Sequence, residues 1–435
     1  MSSNTFKTLP FSGAIMMTQP CGPWYYTKAI FIFILMALFL CFEMALQVSP
    51  GVMTVPLRHD LQLTAFGLGL MSGVYFVTYT IMQIPSGLLY DRANFRILVS
   101  AAILICAVGA AIFGHAIGLW TGALARMLMG FGSAFAFLSV LTVAARYFPA
   151  KYFAMLTGIA QLLAAVGGIA GNLPIAYMVD KLGWRDSMGL LSLGGMVLAL
   201  IILIFIQKPK APIAEGDTVE PVWHSLKNIV QKKQTWMAGL YAFFSWAPMT
   251  AFASLWGVPF LKTAYGFSTT EAGSLCALIW LGVGLTSPII GALSDMIGRR
   301  NPLLFLTAVM GVIGIAVVVY VPNLPIYLLG IALFFAGIGS AGQILSFAVV
   351  KDNAKRKRTS TSIGSNNMAV VASGILVQPI VGRLLEAHSG IKATTHGTYA
   401  MADFHTALVI LPICFVLCAL LAFGLIKETY CGKKA

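Results

Sequence analysis

The feature that most constrains this chain is a run of about twenty apolar residues that recurs from one end of the sequence to the other with almost no charge inside it. Such runs have no surface to offer water. Lipid is the solvent they fit, and a charged fraction of only 10% with a mean hydropathy of +0.87 agrees. Each run far exceeds the roughly 10 residues of a barrel strand, and in lipid every backbone polar group must be satisfied within the crossing element. The expected class is therefore an all-α membrane protein. Twelve runs reach spanning length: Ala29 to Val55, Phe66 to Leu89, Ile97 to Phe113, Leu119 to Ala145, Phe153 to Val179, Met188 to Ile206, Trp236 to Phe260, Ala272 to Leu293, Leu303 to Val321, Ile326 to Val350, Ile363 to Leu385 and Ala407 to Ile426. The polar stretch from Gln207 to Thr235 divides them six and six. The expected organisation is a tail over 1–28, a six-helix bundle over 29–206, a linker over 207–235, a second bundle over 236–426 and a tail over 427–435.

Basic residues orient the spans, because positively charged loops resist translocation. With the N-terminus placed in the cytoplasm, 21 of the 28 Lys and Arg fall on inside segments, six (Arg58, Lys181, Arg185, Lys262, Arg383, Lys392) fall outside, and Arg126 lies within a span. Both termini are thus expected in the cytoplasm, and the formal charge of +14 is topological. Dispersed over loops as it is, that charge does not read as a nucleic-acid surface. The seven cysteines sit mostly inside apolar runs, with no C-x-x-C, and read as small buried hydrophobes; neither a metal nor a cofactor is expected. Nothing at the N-terminus resembles a removable leader, and the absence of Asn-x-Ser/Thr sequons with short loops leans towards a multi-pass protein of a bacterial inner membrane.

The halves match at one place. Gly87-x-Leu89-x-Asp91 closes the second span and Gly291-x-Leu293-x-Asp295 closes the eighth, 204 residues later. The second copy continues through Gly298, Arg299 and Arg300, the first through Arg92, Asn94 and Arg96. These loops resemble the signature of the major facilitator superfamily, with Asn94 where the family has glycine and Met296 in place of a basic residue. Asparagine tolerates a left-handed backbone nearly as well as glycine, so a left-handed turn is expected at Asn94. Arg126 with Gly130 and Gly132 is similar to the family's fourth-span pattern, whose arginine is often linked to proton coupling. The first-span residues Glu43, Gln47, Pro50 and Gly51, with Gly183-Trp184-Arg185, resemble bacterial members that import organic anions or amino acids. The resemblance implies two pseudo-symmetric bundles, alternating access, a lipid-embedded monomer, and a cytoplasmic gate at Gly87, Asp91, Arg92, Arg96, Gly291, Asp295, Gly298, Arg299 and Arg300.

Only Glu43 and Arg126 carry charge well inside spans, each at a cost of at least ~2.5 kcal/mol at the bilayer centre. Helix rise puts them at similar heights, so a contact is expected. On one reading Glu43 takes the coupling proton or binds an amine, while Arg126 is its partner or anchors a substrate carboxylate, and protonating Glu43 would release Arg126. On the other they form a permanent structural ion pair. Polar and aromatic residues at helical spacing complete a candidate cavity: Gln47, Tyr75, Tyr79, Gln83, Gln161, Tyr241, Ser245, Trp246, Trp280, Gln343, Asn366 and Asn367, each also readable as an interhelical hydrogen bonder or packing residue.

The sequence lacks H-E-x-x-H, G-x-S-x-G, paired intramembrane aspartates and a P-loop, so neither an enzyme nor an ATP-driven pump is expected. The expected function is secondary active transport of a small polar metabolite, amino acid or organic anion, by proton symport. The alternative is proton-coupled efflux of a drug-like or toxic compound.

Overall fold

The computed structural model describes residues 23–148, 153–206, 232–353, 359–389 and 399–430. The expected tails and linker lie outside the described residues except at their edges, since 1–22, 207–231 and 431–435 are not among them. Within the described residues the chain is helical, without strands, and ten helical runs are long and apolar enough to cross a membrane.

The first crossing is α1 (Pro23–Val48), followed by the short α2 (Thr54–Asp60), then α3 (Ala65–Arg92) and α4 (Phe95–Gly114). The fourth is broken into α5 (Leu119–Ser133) and α6 (Ala136–Tyr147). The 53-residue α7 (Phe153–Phe205) is about twice what a bilayer needs at ~1.5 Å per residue, and it crosses twice by reversing at Gly183. Gly183 has φ +81°, a left-handed backbone that a side chain would disfavour, and Gly171 and Met188 on either side of it both pack beside the end of α1. The seventh crossing runs from α8 (Lys233–Pro248) through a π-helical Met249–Trp256 into α9 (Gly257–Tyr265). Then come α10 (Thr269–Ile297), α11 (Asn301–Tyr320), the broken pair α12 (Ile326–Ala341) and α13 (Gln343–Asn353), and α14 (Thr359–Ser389). The last crossing joins α15 (Met401–Leu408), α16 (Ile410–Leu420) and a π turn over Leu421–Leu425. With α7 counted twice and the π-helical seventh included, the crossings are twelve.

The last crossing begins at Met401, six residues before the expected Ala407, and the end of the first also departs from expectation. The first span stops at Val48, short of Val55, because Ser49-Pro50-Gly51 forms a 3-10 turn: Pro50 has no N–H to continue the ladder, and Thr54 Oγ1 donates to the Pro50 carbonyl at 3.1 Å. The internal repeat reappears at helix starts. Thr64 caps α3 by accepting from Gly67 N at 3.0 Å, and Ser268, again 204 residues on, caps α10 by accepting from Glu271 N at 3.2 Å.

Two six-helix bundles result, and an even number of crossings puts the start of α1 and the end of the last crossing, which mark the face of the termini, on one side. On the opposite face the bundles touch backbone to backbone. A Cβ on Gly69 of α3 would lie 2.6 Å from the Gln378 carbonyl of α14, and Gly382 of α14 sits equally close against Ala65. Gly273 of α10 meets Asn172 of α7 in the same way. Polar clasps reinforce this seam: Phe66 N donates to Glu386 Oε1 at 2.7 Å, Thr270 Oγ1 to Asp180 Oδ2 at 2.8 Å, and the Arg58 guanidinium lies 4.5 Å from the Tyr399 ring centre. Also on this face, Trp184 Nε1 donates to Asp60 Oδ2 at 2.8 Å and Arg185 Nη1 donates to the Gly114 and Ala116 carbonyls, tying the α7 reversal to α2 and α4. On the face of the termini, a Cβ at Gly87, Gly158 or Gly291 would meet no neighbour within 4 Å. The close backbone contacts between the bundles lie on the face opposite the ends of the described chain.

Candidate functional site

Glu43 stands on α1, Tyr75 on α3 and Arg126 on α5, and none is more than 1% exposed. The expected contact between carboxylate and guanidinium does not form, because Tyr75 lies between them. Its hydroxyl donates to Glu43 Oε1 at 2.7 Å, and its ring carries the Arg126 guanidinium 4.5 Å from the centroid. Arg126 Nη1 donates to the Leu46 carbonyl at 2.7 Å and Nη2 to the Gln47 carbonyl at 3.3 Å.

Magnitudes decide what holds the arginine. Its charge at depth costs about 2.5–3.5 kcal/mol on insertion scales. Each hydrogen bond from a charged donor returns about 1.5–3 kcal/mol, and a desolvated cation over a ring about 2 kcal/mol. Two carbonyls and a ring offset that cost without the carboxylate, and the buried Arg126 Nε is left without a partner. This corrects the expected direct contact, whether as a permanent Glu43–Arg126 bridge or as one released by protonation. Glu43 Oε2 itself is buried without a hydrogen-bond partner.

A cavity of about 310 Å³ lies between the bundles, from mid-height towards the face of the termini. Seven of the residues singled out in the sequence line it: Gln47, Tyr79, Gln161, Trp246, Trp280, Gln343 and Asn367. Glu43, Arg126 and Tyr75 lie behind its wall, although Tyr79 on the wall has its ring 6.0 Å from that of Tyr75. The remaining candidates do structural work. Tyr241 Oη donates to the Leu304 carbonyl at 2.8 Å, Ser245 Oγ bonds back to the Ala242 carbonyl, and Asn366 Nδ2 donates to Ser346 Oγ. Gln83 is not on the wall, but its Oε1 accepts from Asn367 Nδ2 at 2.9 Å and joins α3 to α14 across the bundle interface. Sequence reasoning missed the rings Phe76, Phe137 and Phe347. Helical spacing offered a signal for two of them, since Phe76 precedes Tyr79 by three positions and Phe347 follows Gln343 by four. Among the described residues no Asp, Glu, Lys, Arg or His lines the cavity. Among the described residues no three His, Cys, Asp or Glu converge as a metal site.

The repeated loop differs between its copies. In the second, Gly298 ends α10 with φ +73°, and Arg300 turns back to bond Asp295 Oδ1 at 2.7 Å, Ser294 Oγ at 3.0 Å and Asp352 Oδ2 at 3.4 Å. Arg299 lies 6.0 Å from the Tyr430 ring centre. Glu428 closes the cluster by accepting from the Arg300 and Asn301 backbone N–H groups at 2.8 and 3.0 Å, at the start of α11. In the first copy the left-handed turn expected at Asn94 is absent. Asn94 is extended, with φ −65° and ψ 111°, and its side chain accepts from Arg96 N at 3.2 Å as the cap of α4, since a capping residue favours extended backbone. The side chains of Asp91 and Arg92 lie outside the described residues.

The family model described as Major Facilitator Superfamily matches residues 32–378 and 243–433. The hexuronate transporter of Bacillus subtilis (strain 168) is 20% identical over 351 residues, covering 76% of this chain and 82% of that protein. An MFS-type efflux pump of Mycolicibacterium smegmatis is 25% identical over 267 residues, covering 58% of this chain and 59% of its own. Among solved structures, a bacterial homolog of the human lysosomal transporter Spinster, inward-facing and unoccupied, superposes with a TM-score of 0.73 at 16% identity, covering 91% of this chain and 97% of that one.

Proposed function

This chain belongs to the major facilitator superfamily, it is a transporter of small metabolites and not an enzyme, and from that premise we propose that it works by proton-coupled symport and alternating access. The observation that carries the coupling is Glu43: fully buried, bonded through one oxygen to Tyr75, with the other oxygen free to carry a proton. The link from proton to solute runs from Glu43 through the Tyr75 hydroxyl and the Tyr75 and Tyr79 rings to the cavity wall. Protonation removes the charge that holds the Tyr75 hydroxyl, and any shift of that ring moves the Arg126 platform on one side and Tyr79 on the other.

The lysine and arginine distribution supports cytoplasmic termini in an inner membrane, which puts the glycine seam on the periplasmic side as the gate there. Both solute classes expected from the sequence, amino acid and organic anion, require a charged anchor in the cavity, and Glu43 and Arg126 lie behind its wall. The lining, largely apolar, favours a second reading, efflux of a hydrophobic compound. Flux in proteoliposomes under an imposed proton gradient separates the two by direction. Glu43→Gln tests the first: it should abolish gradient-driven accumulation while leaving solute exchange intact, and accumulation with unchanged pH dependence would refute the coupling role.

A further inference from the structure

We propose that a groove between α11 and α16 holds one acyl chain of an anionic phospholipid from the leaflet on the face of the termini, and that Arg299 and Lys427 bind its phosphate. The site is separate from the transport cavity and does not depend on how transport is coupled.

Two facing stripes build the groove. Phe305, Val309 and Val312 recur at i, i+4 and i+7 on α11, and Val416, Ala419 and Phe423 at i, i+3 and i+7 on α16 and its π turn. On the inner side the Phe415 ring packs against Gly311 and joins the two helices. The outer side is open, with Val416 44% and Phe423 83% exposed, and in a spanning helix exposure means contact with lipid. The space amounts to about 430 Å³, and among the described residues no polar side chain lines it. Water does not fit there, because an enclosed water needs about two to four polar partners. Phe305 stands about one turn above the start of α11, and the stripe runs from it to Val312 over roughly 10 Å at ~1.5 Å per residue, within the ~15 Å that one leaflet contributes to a ~30 Å core. One hydrocarbon chain of that leaflet matches this length and this lining.

The headgroup follows from the mouth of the groove. There Asn301 Nδ2 donates to the Ile426 carbonyl at 2.6 Å, tying the start of α11 to the end of the last crossing. Lys427 directly follows Ile426 and Arg299 stands two residues before Asn301, so two exposed cations sit at this tie. Neither pairs with a carboxylate among the described residues: the Arg299 guanidinium lies 6.0 Å from the Tyr430 ring centre, and Lys427 meets Gln234 through its backbone N–H. The nearby acids are committed elsewhere, Asp295 and Asp352 to Arg300 and Glu428 to the N–H groups that open α11. An anionic phosphodiester meets both cations, whereas a zwitterionic headgroup brings an ammonium of its own. A second copy of the chain is the poorer occupant, since a two-fold axis along the membrane normal would set the same cations against each other.

Native mass spectrometry of the purified full-length protein, titrated with phosphatidylglycerol and phosphatidylcholine of identical acyl chains, tests this. Phosphatidylglycerol should bind about tenfold or more tightly, the effect of two cations near the membrane surface. Arg299→Gln with Lys427→Gln should bring its affinity down to that of phosphatidylcholine, and Ala419→Trp, which fills the groove, should weaken both lipids. In the wild type, phosphatidylglycerol carrying a diazirine on its acyl chain should label α11 and α16, a readout that stands even if a variant fails to fold. Equal affinity for the two lipids in the wild type, or label confined to other spans, overturns the proposal. So does displacement of the lipid by glycerol 3-phosphate at matched concentration, which would make the headgroup the whole ligand, or a dimer that Ala419→Trp dissociates, which would make a second copy the occupant.

Discussion

Tyr75 is the residue on which the buried charges depend, and it does two jobs with different atoms. Its hydroxyl serves Glu43 and its ring serves Arg126. Tyr75→Phe separates them: the ring stays beneath the guanidinium while the carboxyl loses its donor. Gradient-driven uptake should fall about tenfold, and denaturant unfolding should show about 1–3 kcal/mol lost, because the buried Glu43 carboxyl is left without a donor. Arg126→Lys does the converse, because an ammonium cannot reach two carbonyls as a planar fork and stacks poorly. It should lower stability by about 2 kcal/mol in denaturant unfolding, with or without Glu43→Gln in the background, since the carboxylate is not what holds the arginine. Glu43 and Arg126 were legible in the sequence because charge inside an apolar run is conspicuous. The role of Tyr75 was not, because tyrosines at positions 75 and 79 on one helix face look alike and only the packing of α1 and α5 decides which one is enclosed.

At the scale of elements, the ends of helices carry the polar economy of the fold. Glu428 sits at the start of α11, where its carboxylate meets two backbone N–H groups and the positive end of the helix dipole. Glu428→Ala should destabilise the second bundle by about 0.5–2 kcal/mol, measured by differential scanning calorimetry, and loosen the Arg300 cluster it covers. The clasp between α2 and the α7 reversal predicts a pH dependence. The Asp60 carboxyl is held below its ordinary range by its hydrogen bond to His59, by that from Trp184 Nε1 and by the nearby Arg185. A depressed folded value means that its stabilising contribution is present above the unfolded aspartate pKa near ~4 and is lost as pH falls through the folded value. Thermal midpoints of the wild type should therefore drop more steeply with acid below about pH 4 than those of Asp60→Asn. Span existence was legible in the sequence, since length and hydropathy alone demand it. The 3-10 turn after Val48, the capping role of Asn94 and the π-helical stretch over Met249–Trp256 were not, because each depends on which neighbour satisfies a carbonyl or an N–H group.

Across the whole molecule the sealed face is held by contacts that leave no room for a methyl group. Gly69→Ala would place one 2.6 Å from the Gln378 carbonyl and should weaken the seal by about 1–3 kcal/mol, the cost of overpacking. Alkylation of a cysteine introduced on the seam should rise by about tenfold or more. Equal labelling in both backgrounds would mean that the seam does not set the equilibrium. Glycines at these positions were visible in the sequence only as close-packing residues; that Gly69 and Gly382 meet the opposite bundle instead of a neighbour in their own is a property of the assembled pair. One further contact crosses the interface: the face of the Trp280 ring resting on Gly168. Because that indole is wedged between two halves that must part, its emission colour reports their separation, a blue-shifted band when the backbone shields it and a red-shifted one when solvent reaches it, so the protein carries its own optical gauge of which way it points.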